Sequence, residues 1–287
     1  MPPELGPWES VEVRTALAWG ALIWLGWEWV VTFPSEYKYI LKGEHSPAKL
    51  LYLSTRYIGL SAQILNQVLI AMFLRKAILG PGLCRAWFVF QSMIVQILYS
   101  SVQAVLMYRV YALYGRTLRM KAFMILVFIT ESVSMLSLGA HVTMSINFSP
   151  VCLVHNTPLL VLPMSGIVVA TQCLVWCMTL RKRTAFEYRN HPLMKTLTRD
   201  GGIVWAVLSL FFTVAAPYAY YVRAPTHSTF TFLITLLSII GCRLILSTHH
   251  TPMQGKGETS DVELSTQFTT SIDTDISDVI SELGAPQ

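Results

Sequence analysis

Charge is what this chain has least of. Asp, Glu, Lys and Arg make up 13% of its 287 residues against 53% hydrophobic, and the mean hydropathy is +0.51. About a quarter of a soluble domain is normally charged, so this chain has too little polar surface for one. Other scarcities narrow the function. Of seven His, only His141 falls inside an apolar stretch. That leaves no paired haem ligands and no His and Asp set of the kind a membrane metal hydrolase needs. There is no Gly-rich phosphate loop and no nucleophile elbow. No internal repeat of the type that builds many transporters is visible. The last apolar stretch contains no Lys that could form a retinal Schiff base. No cofactor and no metal are expected, and the chain is not expected to be an enzyme.

What is present is long hydrophobic runs. Seven stretches, at about 17–33, 50–74, 86–108, 122–146, 159–180, 203–222 and 229–247, approach or reach the length needed to cross a bilayer. A spanning helix takes about 20 mostly apolar residues at about 1.5 Å rise each. The expected fold class is therefore all-α, a polytopic membrane protein of seven transmembrane helices. Basic residues divide unevenly between the connections. Fourteen Lys and Arg fall on one side, including Arg109, Arg116, Arg181, Lys182 and Arg183, and five on the other, including Arg85. The positive-inside rule places the richer side in the cytoplasm, the N-terminus outside and the C-terminus inside. The formal charge of +5 is then a topology signal and makes no case for nucleic acid.

Three regions follow: an external segment 1–15, a membrane domain 16–247, and a cytoplasmic tail 248–287. The tail holds twelve Ser or Thr and seven acids against one Lys, a composition expected to be disordered. Trp19 and Trp87 are expected near the outer headgroups and Trp176 and Trp205 near the inner ones, with the Trp-rich first helix facing lipid. Pro217, late in the sixth stretch, is expected to kink it, either as a static bend or as a hinge. A sequon at 147–149 would face outward.

Cys84 and Cys152 are the two cysteines expected outside the membrane, so a disulfide between them is plausible and would staple the 4–5 connection over the outer mouth. Cys173, Cys177 and Cys242 read as small buried hydrophobes. Polar residues at membrane depth are the other signal, because each must find a partner or cost free energy. Arg56, Gln63 and Gln67 share one face of the second helix. Ser92, Gln96, Tyr99, Ser100 and Gln103 form a seam on the third. Glu131 lies near the middle of the fourth, with Ser134 and His141 assigned to its side, and Glu28 is in the first. Two readings stand for these seams. Interhelical hydrogen bonding is preferred for Ser and Gln, and a ligand or ion path for Glu28, Arg56 and Glu131. The path candidates are Glu28, Arg56, Gln63, Gln67, Gln96, Gln103 and Glu131. Those for cytoplasmic coupling are Arg109, Tyr111, Arg116, Arg181, Lys182 and Arg183.

The segment WEWVVTFPSEYKYILKGEHSPAKLLYLSTRYIGL at 27–60 resembles the N-terminal conserved region of a seven-helix membrane protein family of mushroom-forming fungi, catalogued as a domain of unknown function. MYRVYALYGR at 107–116, LTRDGGIVW at 197–205 and CRLILS at 242–247 are similar to further stretches of that family. The resemblance implies a fungal membrane protein and no particular activity. The seven-helix arrangement, with one Cys at the outer end of helix three and another in the next outer connection, also looks like a G-protein-coupled receptor. Tyr108–Arg109–Val110 stands where rhodopsin-like receptors carry Asp-Arg-Tyr, and helix seven has no Asn-Pro-x-x-Tyr. The resulting expectation is a receptor-like sensor in the plasma membrane of a fungal cell, coupling an external ligand to a cytoplasmic signalling partner, with membrane lipid around it. The alternative is a transporter or channel-like carrier that uses the midplane ionisable residues.

Overall fold

The computed structural model describes residues 7–37, 47–74, 81–115, 117–146, 152, 158–184, 192–221 and 226–250. Those residues form seven helices: α1 (Pro7–Glu36), α2 (Pro47–Leu74), α3 (Pro81–Leu113), α4 (Leu118–Ser145), α5 (Val161–Thr184), α6 (Pro192–Tyr221) and α7 (Thr226–His250). Each apolar stretch maps onto one helix, but the helices outrun the stretches. The N-terminal segment is already helical from Pro7, and much of the expected 5–6 connection belongs to α5 and α6. A hydropathy window sees only the residues that prefer lipid, whereas the backbone ladder continues through polar turns until something stops it. The starts of α1, α2, α3 and α6 fall on proline, which costs nothing at the first helical position because that N–H has no intrahelical partner. Beyond α3 the chain turns at Gly115, whose φ of 72° is left-handed and whose N–H bonds the Ala112 carbonyl at 3.2 Å.

The helices alternate in direction. Ala18 early in α1, Ile70 late in α2, and Cys84 and Trp87 early in α3 pack around Cys152, defining a disulfide end. At the opposite end Arg109, late in α3, donates to the carbonyl of Leu244, late in α7, while Tyr52, early in α2, packs on Cys242 and Ile245. The main core follows α3 and α7 (Leu98, Val102, Leu106, Ile234 and Leu237) with α5 and α6 laid against it. The helix α4 packs chiefly on α3 and α5.

Surface and interior exchange their usual roles. Trp27, Ile23, Leu126 and Leu210 are each more than 60% exposed, while Gln63, Gln103 and Thr235 are sealed inside. Four helical segments are long and apolar enough to cross a membrane: Thr15–Pro34, Gly82–Leu113, Leu118–Ser145 and Val161–Lys182. Gly201–Ala215 and Thr229–Ile245 are shorter apolar stretches. Exposed apolar surface on this scale is consistent with a membrane protein.

Several placements differ from expectation. Trp87 is buried beside the disulfide, packed among Ala18, Ile70, Cys84 and Cys152. Trp176 and Trp205 stack on each other, with centroids 5.7 Å apart and planes at 12°. Gly202 makes room for that stack: a Cβ there would lie 2.7 Å from Trp176 Cη2. His141 is exposed, ten residues along a helix from Glu131 and hence off its face. Cys177 is also exposed and Cys173 half-buried, so only Cys242 is the buried hydrophobe expected of all three. Pro217, by contrast, lies late inside α6 as expected. Arg116, the sequon at 147–149 and tail residues 251–287 lie outside the described residues, as does the side chain of Arg183.

Candidate functional site

Toward the disulfide end α3, α4, α5, α6 and α7 surround a cavity of about 690 Å³. Sites for small molecules usually measure about 300–1,000 Å³. Its walls are largely apolar, with Phe88, Met93, Met135, Met164, Phe212 and Phe230 prominent. Ser92, Gln96 and Tyr99 contribute polar atoms along α3, one helical turn apart. Arg85, at the end of that line, is the one charged lining residue among those described.

A polar layer continues inward from Tyr99. Its hydroxyl donates to Glu131 Oε1 at 2.5 Å, and Thr171 Oγ1 donates to the same oxygen at 2.7 Å. Gln172 Nε2 donates to Gln103 Oε1 at 2.6 Å and to Tyr99 Oη at 3.4 Å. Together these residues join α3, α4 and α5. The layer satisfies a carboxyl that would be costly to leave alone in an apolar interior. Beyond it lies a void of only about 20 Å³, walled by Leu106, Arg109, Val175, Trp176 and Trp205, which shares no lining residue with the large cavity.

A second network fastens α2 to α7 and α3. Gln63 Nε2 donates to the Thr231 carbonyl at 2.7 Å and to Thr235 Oγ1 at 2.8 Å. Asn66 Nδ2 reaches Thr231 Oγ1 at 3.2 Å, and Gln91 Nε2 reaches Asn66 Oδ1 at 3.0 Å. Here Gln63 and Asn66 do the work of interhelical hydrogen bonding. Gln67 is half-buried and joins neither network. Gln96 donates to Ser100 Oγ at 3.2 Å and faces the cavity.

The remaining ionisable candidates pair locally. Arg56 is buried, 3.0 Å from Glu36, and donates to Tyr52 Oη at 2.5 Å, to Thr32 Oγ1 at 2.9 Å and to the Trp29 carbonyl at 2.9 Å. Burial pushes the Glu36 carboxyl above its ordinary range, and the Arg56 guanidinium pulls it back. Glu28 receives both arms of Arg243, at 2.6 and 2.9 Å. Glu28 and Arg56 therefore share no partner with Glu131 among the described residues. The three ionisable groups do not line up as one path, because α1 and α2 pack on α7 while Glu131 faces α3 and α5.

The coupling candidates also separate. Arg109 is buried and ties α3 to α7, so it does not sit on the surface as expected. Tyr111 is half-buried against the Tyr108 ring, Arg181 is exposed, and Lys182 Nζ lies 5.4 Å over the Tyr114 ring. Cys84 and Cys152 form a disulfide, with Cα atoms 5.2 Å apart. It fixes Cys152 in the corner made by α1, α2 and α3, and the rest of the connection expected over the outer mouth, 147–151 and 153–157, lies outside the described residues. Sequence reasoning missed Thr171 and Gln172, though an adjacent polar pair within an apolar helix is the same signal that pointed to Gln63 and Gln103. It also missed Glu36, which lies three residues past the first apolar stretch. Among the described residues no group of three or more His, Cys, Asp or Glu could hold a metal ion.

Residues 17–61 match the model of a family of unknown function, DUF6533. The resemblance seen at 27–60 lies inside this match. No curated protein and no solved structure matches the chain.

Proposed function

We propose that this chain is a seven-span protein of a fungal plasma membrane that acts as a receptor-like sensor and is not an enzyme. In this reading the disulfide end faces outward, the Arg109 end meets the cytoplasm, and an external ligand occupying the α3–α7 cavity alters what the cytoplasmic face presents to a signalling partner. The observation that carries it is a cavity of ligand size (about 690 Å³) that stops at the Tyr99–Glu131–Gln172–Gln103 layer. A cavity that ends on a hydrogen-bonded floor suits recognition, while a carrier needs its ionisable groups along one route. A ligand touching Tyr99 would act on α3, α4 and α5 together, and α3 leads to Arg109 and α7. Exposed Arg181 and half-buried Lys182 supply basic charge for a protein or anionic lipid.

The test expresses Glu131→Gln and Arg109→Ala beside the parent, with reporters fused to both termini. The expected result is an external N-terminus, partner recruitment that fails in Arg109→Ala, and no substrate or proton flux in vesicles of any variant. A cytoplasmic N-terminus would overturn the topology. Flux in the parent that vanishes in Glu131→Gln would replace the sensor with a carrier.

A further inference from the structure

Five of the cavity's lining residues are exposed on the side of the bundle, Val89 and Met93 on α3 and Leu136, Ala140 and Met144 on α4. Met93 lies twelve residues into α3, about 18 Å from its start at 1.5 Å per residue. A flaw in the rim alone would not expose lining residues that deep. The two sets repeat every fourth residue, so each forms a stripe along one edge of the same seam. All five side chains are apolar, and the deeper ones would face hydrocarbon in a membrane-spanning bundle.

The seam and the cavity behind it favour a particular occupant. Methionine and phenylalanine dominate the interior, and methionine adapts its shape to a flexible chain. Ser92, Gln96 and Tyr99 line the α3 wall with polar atoms, Thr229 adds one from α7, and the hydroxyls of Thr143 and Ser165 bond carbonyls of their own helices. Arg85 stands at the disulfide end of the seam with no acidic residue among the described lining side chains. A neutral hydrocarbon would make no use of Arg85, and a cation would be repelled by it. We infer that the α3–α4 seam is a lateral entrance through which a single-chain amphiphile with an anionic headgroup, of fatty-acid type, passes from the lipid phase into the cavity, its chain among Phe88, Met135 and Phe212 and its headgroup at Arg85. This deepens the sensor reading and rests on the membrane placement above.

The experiment uses the purified full chain in nanodiscs of neutral lipid, with bound cis-parinarate as the fluorescent probe. Competitors are saturated fatty acids of increasing length, including palmitate, and hexadecanol. Palmitate should displace the probe saturably, and each added methylene should tighten binding about fourfold until the cavity is full. Hexadecanol should bind at least about tenfold more weakly, and Arg85→Gln should erase that difference. Gly139→Leu places its new side chain in the cavity, since a Cβ there meets only Met164 Cε at 4.0 Å. It should weaken both competitors at least about tenfold while the unfolding temperature stays with the parent. If that variant fails to fold, Met93→Trp blocks the seam from the exposed side and should slow probe entry. Non-saturable palmitate binding to folded parent overturns the proposal, as does equal affinity for acid and alcohol. Undiminished binding in the folded filling variants would also overturn it. Discs containing dipalmitoyl phosphatidate that lose palmitate binding would show a two-chain bilayer lipid as the occupant, against the proposal. Palmitate binding without any recruitment in cells would leave this site standing and remove the sensor reading, and recruitment without palmitate binding would do the reverse.

Discussion

Toward the disulfide end the interior is Phe, Met and Val around open space, and the corner beside it is held by a covalent bond. At the Arg109 end it is closed by an ion pair, guanidinium-to-carbonyl bonds and stacked indoles, with no room for more than a water or so. The cavity walls lack neighbours on one side and forfeit the dispersion energy that close packing would bring. Something else must therefore keep those helices in place. The Cys84–Cys152 bridge does so on one flank and the Glu131 layer does so from beneath. The contrast suggests that the bundle concentrates its rigidity at one end so that the other can stay hollow.

The comparison would break most visibly at Arg56. Arg56→Met leaves Glu36 buried without its cation, and such losses typically cost about 3–5 kcal/mol. We expect a large fall in unfolding temperature for purified protein in detergent, partly recovered in Arg56→Met/Glu36→Gln. Equal stability of the single variant and the parent would show that the pair does not hold that end together. Next comes Cys152→Ser, which should lose about 2–4 kcal/mol of stability. Hydrogen exchange should rise near Trp87 and Ile70 while the Arg109 end stays protected. Exchange rising equally at both ends would erase the distinction drawn above.

A paired glycine scan sharpens the contrast. Gly202→Ala drives a methyl into the Trp176 ring, with contacts of 2.7 and 3.2 Å, and overpacking of this kind costs about 1–3 kcal/mol. Gly139→Ala faces the cavity and should stay within about 0.5 kcal/mol of the parent by the same thermal assay. Finding the larger loss at Gly139 would mean that the cavity is not open. The smallest effect concerns pH. Because the folded Glu36 carboxyl is held above its reference value of 4.5, the folded state binds that proton more readily than the unfolded chain. Its stabilising contribution is full below that reference and declines as pH rises through the folded value. A parent-minus-Glu36→Gln difference in unfolding temperature, measured across that window, should fall with rising pH. A rise instead would reverse the sign and point to ion pairing as the stronger influence.

Particular residues show how far reading the chain goes. The apolar stretches anticipated every helix among the described residues, the placement of Cys84 and Cys152 anticipated their bond, and Glu131 was marked as a group that needed partners. Arg109 was assigned to a surface and is buried. Glu28 and Arg56 were grouped with Glu131 and instead pair with Arg243 and Glu36. Thr171 and Gln172 went unnoticed, although they complete the floor of the cavity. Glu28 and Arg56 were recognised as polar within apolar stretches, Thr171 and Gln172 could have been, and what was missing was the partner across helices.

The apolar runs determined on their own the seven helices that the described residues form, because hydropathy acts within one segment and needs no neighbour. Helical spacing determined which residues share a face, for the same reason. Which face meets which helix depends on the rotation of each helix about its axis and on which helices stand side by side, and both are settled by packing across the whole bundle. Only the tertiary structure could therefore decide that Glu131 closes a cavity, that Arg109 ties α3 to α7, and that the seam between α3 and α4 is left open.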